Sequence, residues 1–104
     1  MANSYLNVNI HYVFSTKNRN KQITEDLQSR LWSYMGGIAR NNKMKALIVG
    51  GDTDHCHILI SIPSTITIAK VIQLIKGNSS KWIHETFPEH KDFEWQKGYG
   101  AFSE

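Results

Sequence analysis

The segment DHCHILIS, residues Asp54–Ser61, decides the fold because apolar and polar residues alternate along it. Successive side chains of a β-strand point to opposite faces of the sheet, so this period of two predicts a strand over His55–Ile62 with one buried face. One face carries Cys56, Ile58, Ile60 and Ile62, and the other carries His55, His57, Leu59 and Ser61. We expect the apolar face to lie under helices, which leaves both histidines side by side on the open face of the sheet.

Two further strands are predicted upstream of this segment. Apolar residues alternate with other residues over Leu6–Phe14, a pattern typical of a half-buried strand. Met44–Val49 is the next predicted strand, and Gly50–Asp54 after it has the composition of a turn. The second and third strands should therefore form a hairpin.

Two segments have the spacing of amphipathic helices. The first follows Thr24, a potential N-cap, and ends at Asn41–Asn42. The second follows Thr65 or Thr67 and carries apolar residues at helical spacing as far as Ile83. Glycine has a low helix propensity, so we expect the stretch GNSS at 77–80 to weaken or bend the second helix.

The C-terminal part completes the fold prediction. Beyond Pro88, the segments Phe93–Gln96 and Gly98–Phe102 are rich in aromatic residues and glycine, and they predict one bent strand or a pair. The order strand, helix, strand, strand, helix, strand predicts an α+β protein of the ferredoxin-like (RRM-like) kind, with an antiparallel sheet and two helices on one face.

Composition sets broad limits on the class of protein. The 104 residues, 40% of them hydrophobic, predict a single domain over 1–104. A net charge of +3 gives a mild bias toward polyanions. Cys56 is the only cysteine, which excludes an intrachain disulfide, and no signal segment or membrane-spanning run is visible. We expect a protein of the reducing cytoplasm that does not associate with membranes.

The histidine pair has two interpretations. Imidazoles at alternate strand positions converge on one side of the sheet and suit a divalent metal ion, whereas the plainer interpretation makes them partly solvated polar residues. Cys56 is not expected to join them, because its side chain points to the opposite face. His11 lies by the same parity on the open face, where we expect a surface histidine.

Five ordered motifs resemble a known family. They comprise Val13–Arg19, Ala39–Lys45 with Gly50–Gly51, His55–His57, Ile75–Trp82 and Trp95–Ser103. Together they are similar to the single-tyrosine transposases of small insertion sequences, the IS200-like family within the HUH class of single-strand DNA endonucleases. The HUH motif has two histidines around a bulky hydrophobic residue, and cysteine stands in the middle here.

The resemblance implies an activity and a site. His55 and His57 would bind a divalent ion, magnesium or manganese, that assists cleavage and rejoining of single-stranded DNA through a phosphotyrosine intermediate. The nucleophilic tyrosine of the family would lie beyond Glu104, and Tyr99 is not expected to replace it. This 104-residue form is therefore predicted to be inactive in strand cleavage.

The resemblance also implies partners. They are single-stranded DNA, with hairpins at the ends of an insertion sequence, and a second copy of the chain paired edge to edge through the sheet. The predicted DNA contacts are basic or hydroxyl residues of the first loop and second helix: Lys17, Arg19, Lys21, Lys76, Ser79, Ser80 and Lys81. The alternative function is a noncatalytic module that binds single-stranded nucleic acid or forms a dimer.

Overall fold

A computed structural model describes residues 7–103 and confirms the predicted order of elements. The sheet contains β1 (Asn7–Ser15), β2 (Lys45–Gly51), β3 (His55–Pro63) and β4 (Gly100–Ser103), and the helices are α1 (Glu25–Asn41) and α2 (Ile68–Thr86). Single turns of 3-10 helix occur at Lys17–Arg19 and Pro88–His90. Leu6, the predicted start of the first strand, and Glu104 lie outside the described residues.

The sheet has the predicted antiparallel topology, with strand order β2-β3-β1-β4. The central pair, β1 and β3, is in continuous register from Asn7 opposite Pro63 to Ser15 opposite His55. The hairpin pairs β2 with β3, and β2 contains one irregularity between Ala46 and Ile48. The two histidines therefore lie on an inner strand, whose course is fixed by hydrogen bonds on both sides.

Both helices pack on one face of the sheet, and the core lies between the two layers. Alternate residues of β1 and β3 are buried there with the inner sides of the helices: Ile10, Tyr12, Phe14, Cys56, Ile58, Ile60, Leu31, Met35, Val71, Ile75 and Ile83. The Sγ atom of Cys56 lies 3.6 Å from Met35 Sδ, and burial raises the pKa of this thiol. The predicted assignment of Cys56 to the core is confirmed.

The second helix differs from the prediction in one respect. It begins after Thr67, whose side chain accepts a hydrogen bond from the Lys70 N–H at 3.0 Å. It then continues through Gly77 to Thr86 without a break. Ile75, Ser79 and Ile83 are buried along its inner side, so packing against the sheet outweighs the low helix propensity of glycine.

The C-terminal segment forms two separate contacts with β1. Trp95 forms an isolated antiparallel bridge with Thr16, and β4 pairs with β1 from Gly100 opposite Val13 to Ser103 opposite Ile10. Residues 97–99 lie between these contacts and leave the edge of β1. The structure shows neither a bent strand nor a pair of strands: within the described residues the segment contains one strand, β4, preceded by an isolated bridge at Trp95.

Candidate active site on the open sheet face

The two histidines lie together on the face of the sheet opposite the helices. His55 is paired with Ser15 and His57 with Val13 in the β1–β3 register, so all four side chains point to that face. Both histidines are half-buried. The structure thus places the two imidazoles where the strand parity predicted them.

His57 is accessible from the β2 side because its neighbour there is a glycine. Gly50 is paired with His57, and a Cβ atom at Gly50 would lie 3.4 Å from His57 Nε2. Any longer side chain would cover that ring nitrogen. On the other side the His11 ring contacts the His57 ring edge to face, with 5.6 Å between centroids, so parity placed His11 correctly.

His55 is held by a carboxylate that the sequence reasoning missed. Its Nδ1 atom lies 2.9 Å from Asp54 Oδ1, and the same carboxylate oxygen lies 3.4 Å from Arg19 Nη2. The hydrogen bond to His55 and then the charge of Arg19 keep the pKa of Asp54 below its ordinary value, although partial desolvation opposes them. Because Nδ1 is engaged, Nε2 is the nitrogen that His55 offers to a ligand.

The two imidazoles are potential ligands for a metal ion. Two imidazoles on one face suit manganese or another transition ion better than magnesium, which prefers oxygen ligands. Within residues 7–103, no group of three or more His, Cys, Asp or Glu side chains is placed to hold an ion. The histidine pair fits a divalent ion whose remaining ligands come from phosphate oxygens, water or residues outside the described range.

A cleft opens beside His55, at the end of β1. It has a volume of about 420 Å³. Its lining consists of residues from β1, the first loop, β3 and the C-terminal segment: Val13, Phe14, Ser15, Arg19, His55, Lys97, Gly98 and Tyr99. Lys97 and Tyr99 were not predicted as site residues, although the basic and glycine-rich run QKGYG in which they stand was visible in the sequence.

Arg19 reaches this cleft because the first loop has an unusual backbone. Asn18 and Arg19 both have positive φ angles, 56° and 54°, a conformation that non-glycine residues seldom adopt. Two contacts to the C-terminal segment hold the loop: the Asn18 N–H donates to Gln96 Oε1 at 2.8 Å, and the Lys17 N–H donates to the Glu94 carbonyl at 2.9 Å. Arg19 is thus the predicted DNA contact that lies beside the histidines.

Two of the other predicted DNA contacts, Ser79 and Lys76, form hydrogen bonds with the C-terminal segment. Ser79 is fully buried; its hydroxyl donates to the Lys76 carbonyl and accepts from Trp95 Nε1 at 3.1 Å. Lys76 Nζ donates to the carbonyls of Gln96 and Gly98 at 2.7 and 3.0 Å. The buried Ser79 hydroxyl is therefore not available to DNA. The Lys76 ammonium group is already hydrogen-bonded to two backbone carbonyls of the same chain.

The remaining predicted contacts do not gather at the histidines. Lys17 pairs with Glu94 at 3.5 Å, and Lys21 lines a separate depression with Glu89 and Asp92. Ser80 and Lys81 are on α2, in the helical layer. Of the seven predicted DNA contacts, Arg19 is the one that lines the cleft beside His55. The sequence shows which residues are basic, but it does not show which side of the sheet each of them reaches.

Comparisons with known proteins agree with this fold. The sequence profile of the family described as "Transposase IS200 like" matches residues 4–104. Over 105 aligned residues the chain is 24% identical to the transposases for insertion sequence element IS200 of Salmonella typhimurium and Salmonella typhi, covering 95% of this chain and 68% of each relative.

Solved structures show the same architecture. A candidate transposase from Deinococcus radiodurans R1 superposes with a TM-score of 0.87 at 18% identity, over 98% of this chain and 82% of that protein. A REP-associated tyrosine transposase bound to a REP hairpin gives a TM-score of 0.68 at 12% identity, over all of this chain and 61% of that one. No helix in the described part of the chain is long and apolar enough to span a membrane.

Proposed function

The chain belongs to the IS200-like transposase family of DNA transposases, and on that premise we propose that it forms the histidine-bearing core of an enzyme that cleaves and rejoins single-stranded DNA at the ends of an insertion sequence. The observation that carries the proposal is the placement of His55 and His57 on the open sheet face, beside a cleft that contains Arg19 and Lys97. Two cationic side chains and the His55 imidazole around one cleft suit a phosphodiester substrate.

His55 and His57 would hold a divalent ion, manganese or magnesium, through their ring nitrogens. Such an ion, when bound, neutralises charge on the non-bridging oxygens of the scissile phosphate. The protein contributes orientation: Asp54 fixes the His55 ring, Gly50 leaves His57 Nε2 uncovered, and Arg19 adds a positive charge at the edge of the site. These features favour a phosphate that approaches from the open face.

The proposed strand cleavage is a transfer to tyrosine. A tyrosine oxygen would form a bond to phosphorus as the bond to the 3′ oxygen breaks, and the 3′ oxygen would leave with a proton as a hydroxyl. Tyr12 is fully buried, and Tyr34 is stacked on Trp82 with 4.3 Å between ring centroids. Tyr99 lines the cleft beside His55, but the family resemblance favours a nucleophilic tyrosine outside residues 1–104 over Tyr99. We therefore expect these 104 residues alone to bind DNA without cleaving it.

The proposed partners are DNA hairpins and a second copy of the chain. One solved structure with this fold is a transposase bound to a REP hairpin, which supports hairpin ends as the class of substrate. For the homodimer, β2 is a free edge of the sheet and exposes Leu47 and Ile48, as an edge that pairs with another strand would. The proposed location is the prokaryotic cytoplasm.

A noncatalytic single-strand-binding or dimerisation module is the alternative. The observation in its favour is that the described residues contain no complete set of metal ligands. In that case the histidines are ordinary surface residues, and the affinity for DNA does not depend on a divalent ion.

Binding of single-stranded DNA in the presence and absence of Mn²⁺ tests the proposal. We expect Mn²⁺ to increase the affinity of the 104-residue chain, and His55→Ala or His57→Ala to abolish the increase. His90→Ala is the matched control, because His90 lies in the Pro88–His90 turn beyond α2. For a form extended beyond Glu104, the expectation is a metal-dependent covalent protein–DNA adduct that either histidine substitution prevents. Binding indifferent to Mn²⁺ and to both histidines would favour the noncatalytic module.

A further inference from the structure

The cleft beside His55 exists because the C-terminal segment leaves β1 between two points of attachment. The Gln96 N–H donates to the Ser15 carbonyl at 2.9 Å, and pairing resumes where Gly100 lies opposite Val13. Residues 97–99 bulge away between these points. Gly98 has a φ of 87°, which glycine adopts without strain, so the sequence permits the bulge at this residue.

A lysine from the helical layer holds the bulge in place. Lys76 Nζ donates to the Gln96 and Gly98 carbonyls and lies 5.9 Å from the centroid of the Phe14 ring. Two short hydrogen bonds from one ammonium group fix both ends of the turn that carries Lys97. The cleft is therefore a preformed part of the fold, with walls from β1, the first loop, the start of β3 and the bulge.

The chemistry of the walls is that of a nucleotide site. Arg19 and Lys97 supply two cationic groups, and Ser15 is a hydroxyl-bearing residue of the lining. Tyr99, which is 42% exposed, supplies an aromatic ring whose centroid lies 6.0 Å from that of the buried Tyr12.

Among the described residues, the one carboxylate in contact with the wall is that of Asp54. It pairs with Arg19 and His55 without lining the cleft itself. A volume of about 420 Å³ falls in the range of small-ligand sites, about 300–1,000 Å³.

We propose that this cleft binds one nucleotide of the single-stranded substrate next to the scissile phosphate, with a phosphate between Arg19 and Lys97 and the base against the Tyr99 ring. The proposal rests on the proposed function, because His55 belongs both to the histidine pair and to the cleft wall. It makes Lys97 and Tyr99 substrate-binding residues. A base can stack on Tyr99 only when it is not paired, so the cleft selects single strands over duplex.

Fluorescence titrations of proteins with and without the Tyr99 ring test whether a base stacks on that ring. A ten-residue thymidine oligonucleotide with a single 2-aminopurine, moved from position to position, is titrated with the chain in EDTA, so that metal binding plays no part. We expect the parent protein to quench the 2-aminopurine fluorescence, and Tyr99→Ala to bind with an affinity about 5- to 100-fold lower and to lose the quenching. Tyr99→Phe is the matched control and should retain both affinity and quenching because it keeps the ring.

The salt dependence of the affinity for the oligonucleotide tests whether Lys97 contacts a phosphate. Lys97→Gln should reduce the slope of log affinity against log salt by about 0.7, the value for one phosphate contact to a single strand. Lys91→Gln, a change of the same charge at an exposed lysine that does not line the cleft, should leave the slope unchanged. Lys97 is exposed, so its substitution does not threaten folding.

Several outcomes would overturn the inference. The first is that the oligonucleotide does not bind, and the second is that the parent, Tyr99→Ala and Lys97→Gln proteins bind it with equal affinity. The third is that the parent protein binds the matching duplex as tightly as the single strand. The fourth is that it binds thymidine monophosphate or inorganic phosphate as tightly as the oligonucleotide. The proposed function fails separately, through loss of the Mn²⁺ effect. Normal stacking without any Mn²⁺ effect would retain the nucleotide cleft and remove the metal-assisted chemistry.

Discussion

At the scale of single residues, Asp54 connects the histidine pair with the cleft. Its carboxylate contacts the His55 ring on one side and the Arg19 guanidinium on the other. A carboxylate that accepts the Nδ1 proton fixes the tautomer and the direction of an imidazole ligand. One acidic residue at the end of the hairpin turn thus orients two groups that would face the same phosphate.

Asp54→Ala should weaken metal binding. We expect the affinity for Mn²⁺, measured in the presence of single-stranded DNA by the electron paramagnetic resonance signal of the free ion, to fall about 10-fold. Asp52→Ala is the control in the same turn, since Asp52 Oδ1 accepts from the Thr53 N–H and not from a histidine. Equal Mn²⁺ affinities for the two variants would show that Asp54 does not position His55.

Strand parity was sufficient to place His55 and His57 but not to find Asp54. Parity follows from the covalent geometry of an extended chain, so it can be read directly from spacing. The Asp54 contacts depend on how the turn aims one carboxylate and on a left-handed backbone at Arg19, and neither has a periodic signal. For the same reason the buried Ser79 and the internally bonded Lys76 looked like surface residues in the sequence.

At the scale of elements, Tyr12 joins β1 to the start of α2. Its hydroxyl donates to the Ile68 carbonyl at 2.8 Å. Burial, and to a smaller extent the neighbouring Tyr99, raises the pKa of Tyr12 to about 12. The neutral phenol is thus the form that holds the two elements together.

The pKa of Tyr12 predicts a loss of stability in alkali. An unfolded tyrosine has an ordinary pKa of 10.0, so between pH 10 and pH 12 the unfolded chain loses this proton while the folded chain keeps it. The free energy of unfolding should therefore fall as the pH rises through that window. In urea titrations, Tyr12→Phe should cost about 1 kcal/mol at pH 7 and show a smaller fall. If the free energy of unfolding falls by the same amount in the parent and in Tyr12→Phe, the fall comes from titratable groups other than Tyr12.

The contact of α2 with the 97–99 bulge predicts a cost for removing the Lys76 ammonium group. Lys76→Met keeps most of the aliphatic stem and deletes two hydrogen bonds to backbone carbonyls. We expect about 1–2 kcal/mol lower unfolding free energy, measured by urea denaturation. Lys81→Met is the control on the same helix, where the side chain is exposed. If both substitutions have the same small effect, the ammonium group does not hold the bulge.

Element positions were predictable because each strand and helix buries one side. Apolar residues recur every 2.0 residues along a strand and every 3.6 residues along a helix wherever one side is buried, so both patterns can be recognised in the sequence. The short C-terminal strand and its separation from Trp95 were only partly predictable, since Gly100–Ser103 has no buried residue. Its position depends on β1 and on Lys76, which are distant in sequence.

At the scale of the whole molecule, the sheet has two unequal edges. β2 contributes seven residues to one edge and β4 contributes four to the other. On β2, Leu47 and Ile48 are 43% and 56% exposed. Open strand edges with apolar side chains tend to pair with other strands, so β2 is the edge we assign to the proposed homodimer.

Leu47→Asp should dissociate this dimer. A charge at the centre of a paired edge is desolvated without a partner, and we expect the dimer dissociation constant, measured by sedimentation equilibrium, to rise about 10-fold or more. Ile68→Asp is the control, because Ile68 is similarly exposed at 40% but begins α2, away from the β2 edge. A parent protein that stays monomeric at all accessible concentrations would contradict the assignment.

The alternation along β3 also constrains how this sequence can change over time. Substitutions at Cys56, Ile58 or Ile60 would lower the amount of folded protein, whereas substitutions at His55 or His57 would leave that amount normal and remove the proposed metal binding. Loss or gain of a single residue within the strand exchanges the two sets, because it moves every later side chain to the other face. Lineages should therefore accept replacements along β3 far more often than insertions or deletions, and changes of length should accumulate in the loops.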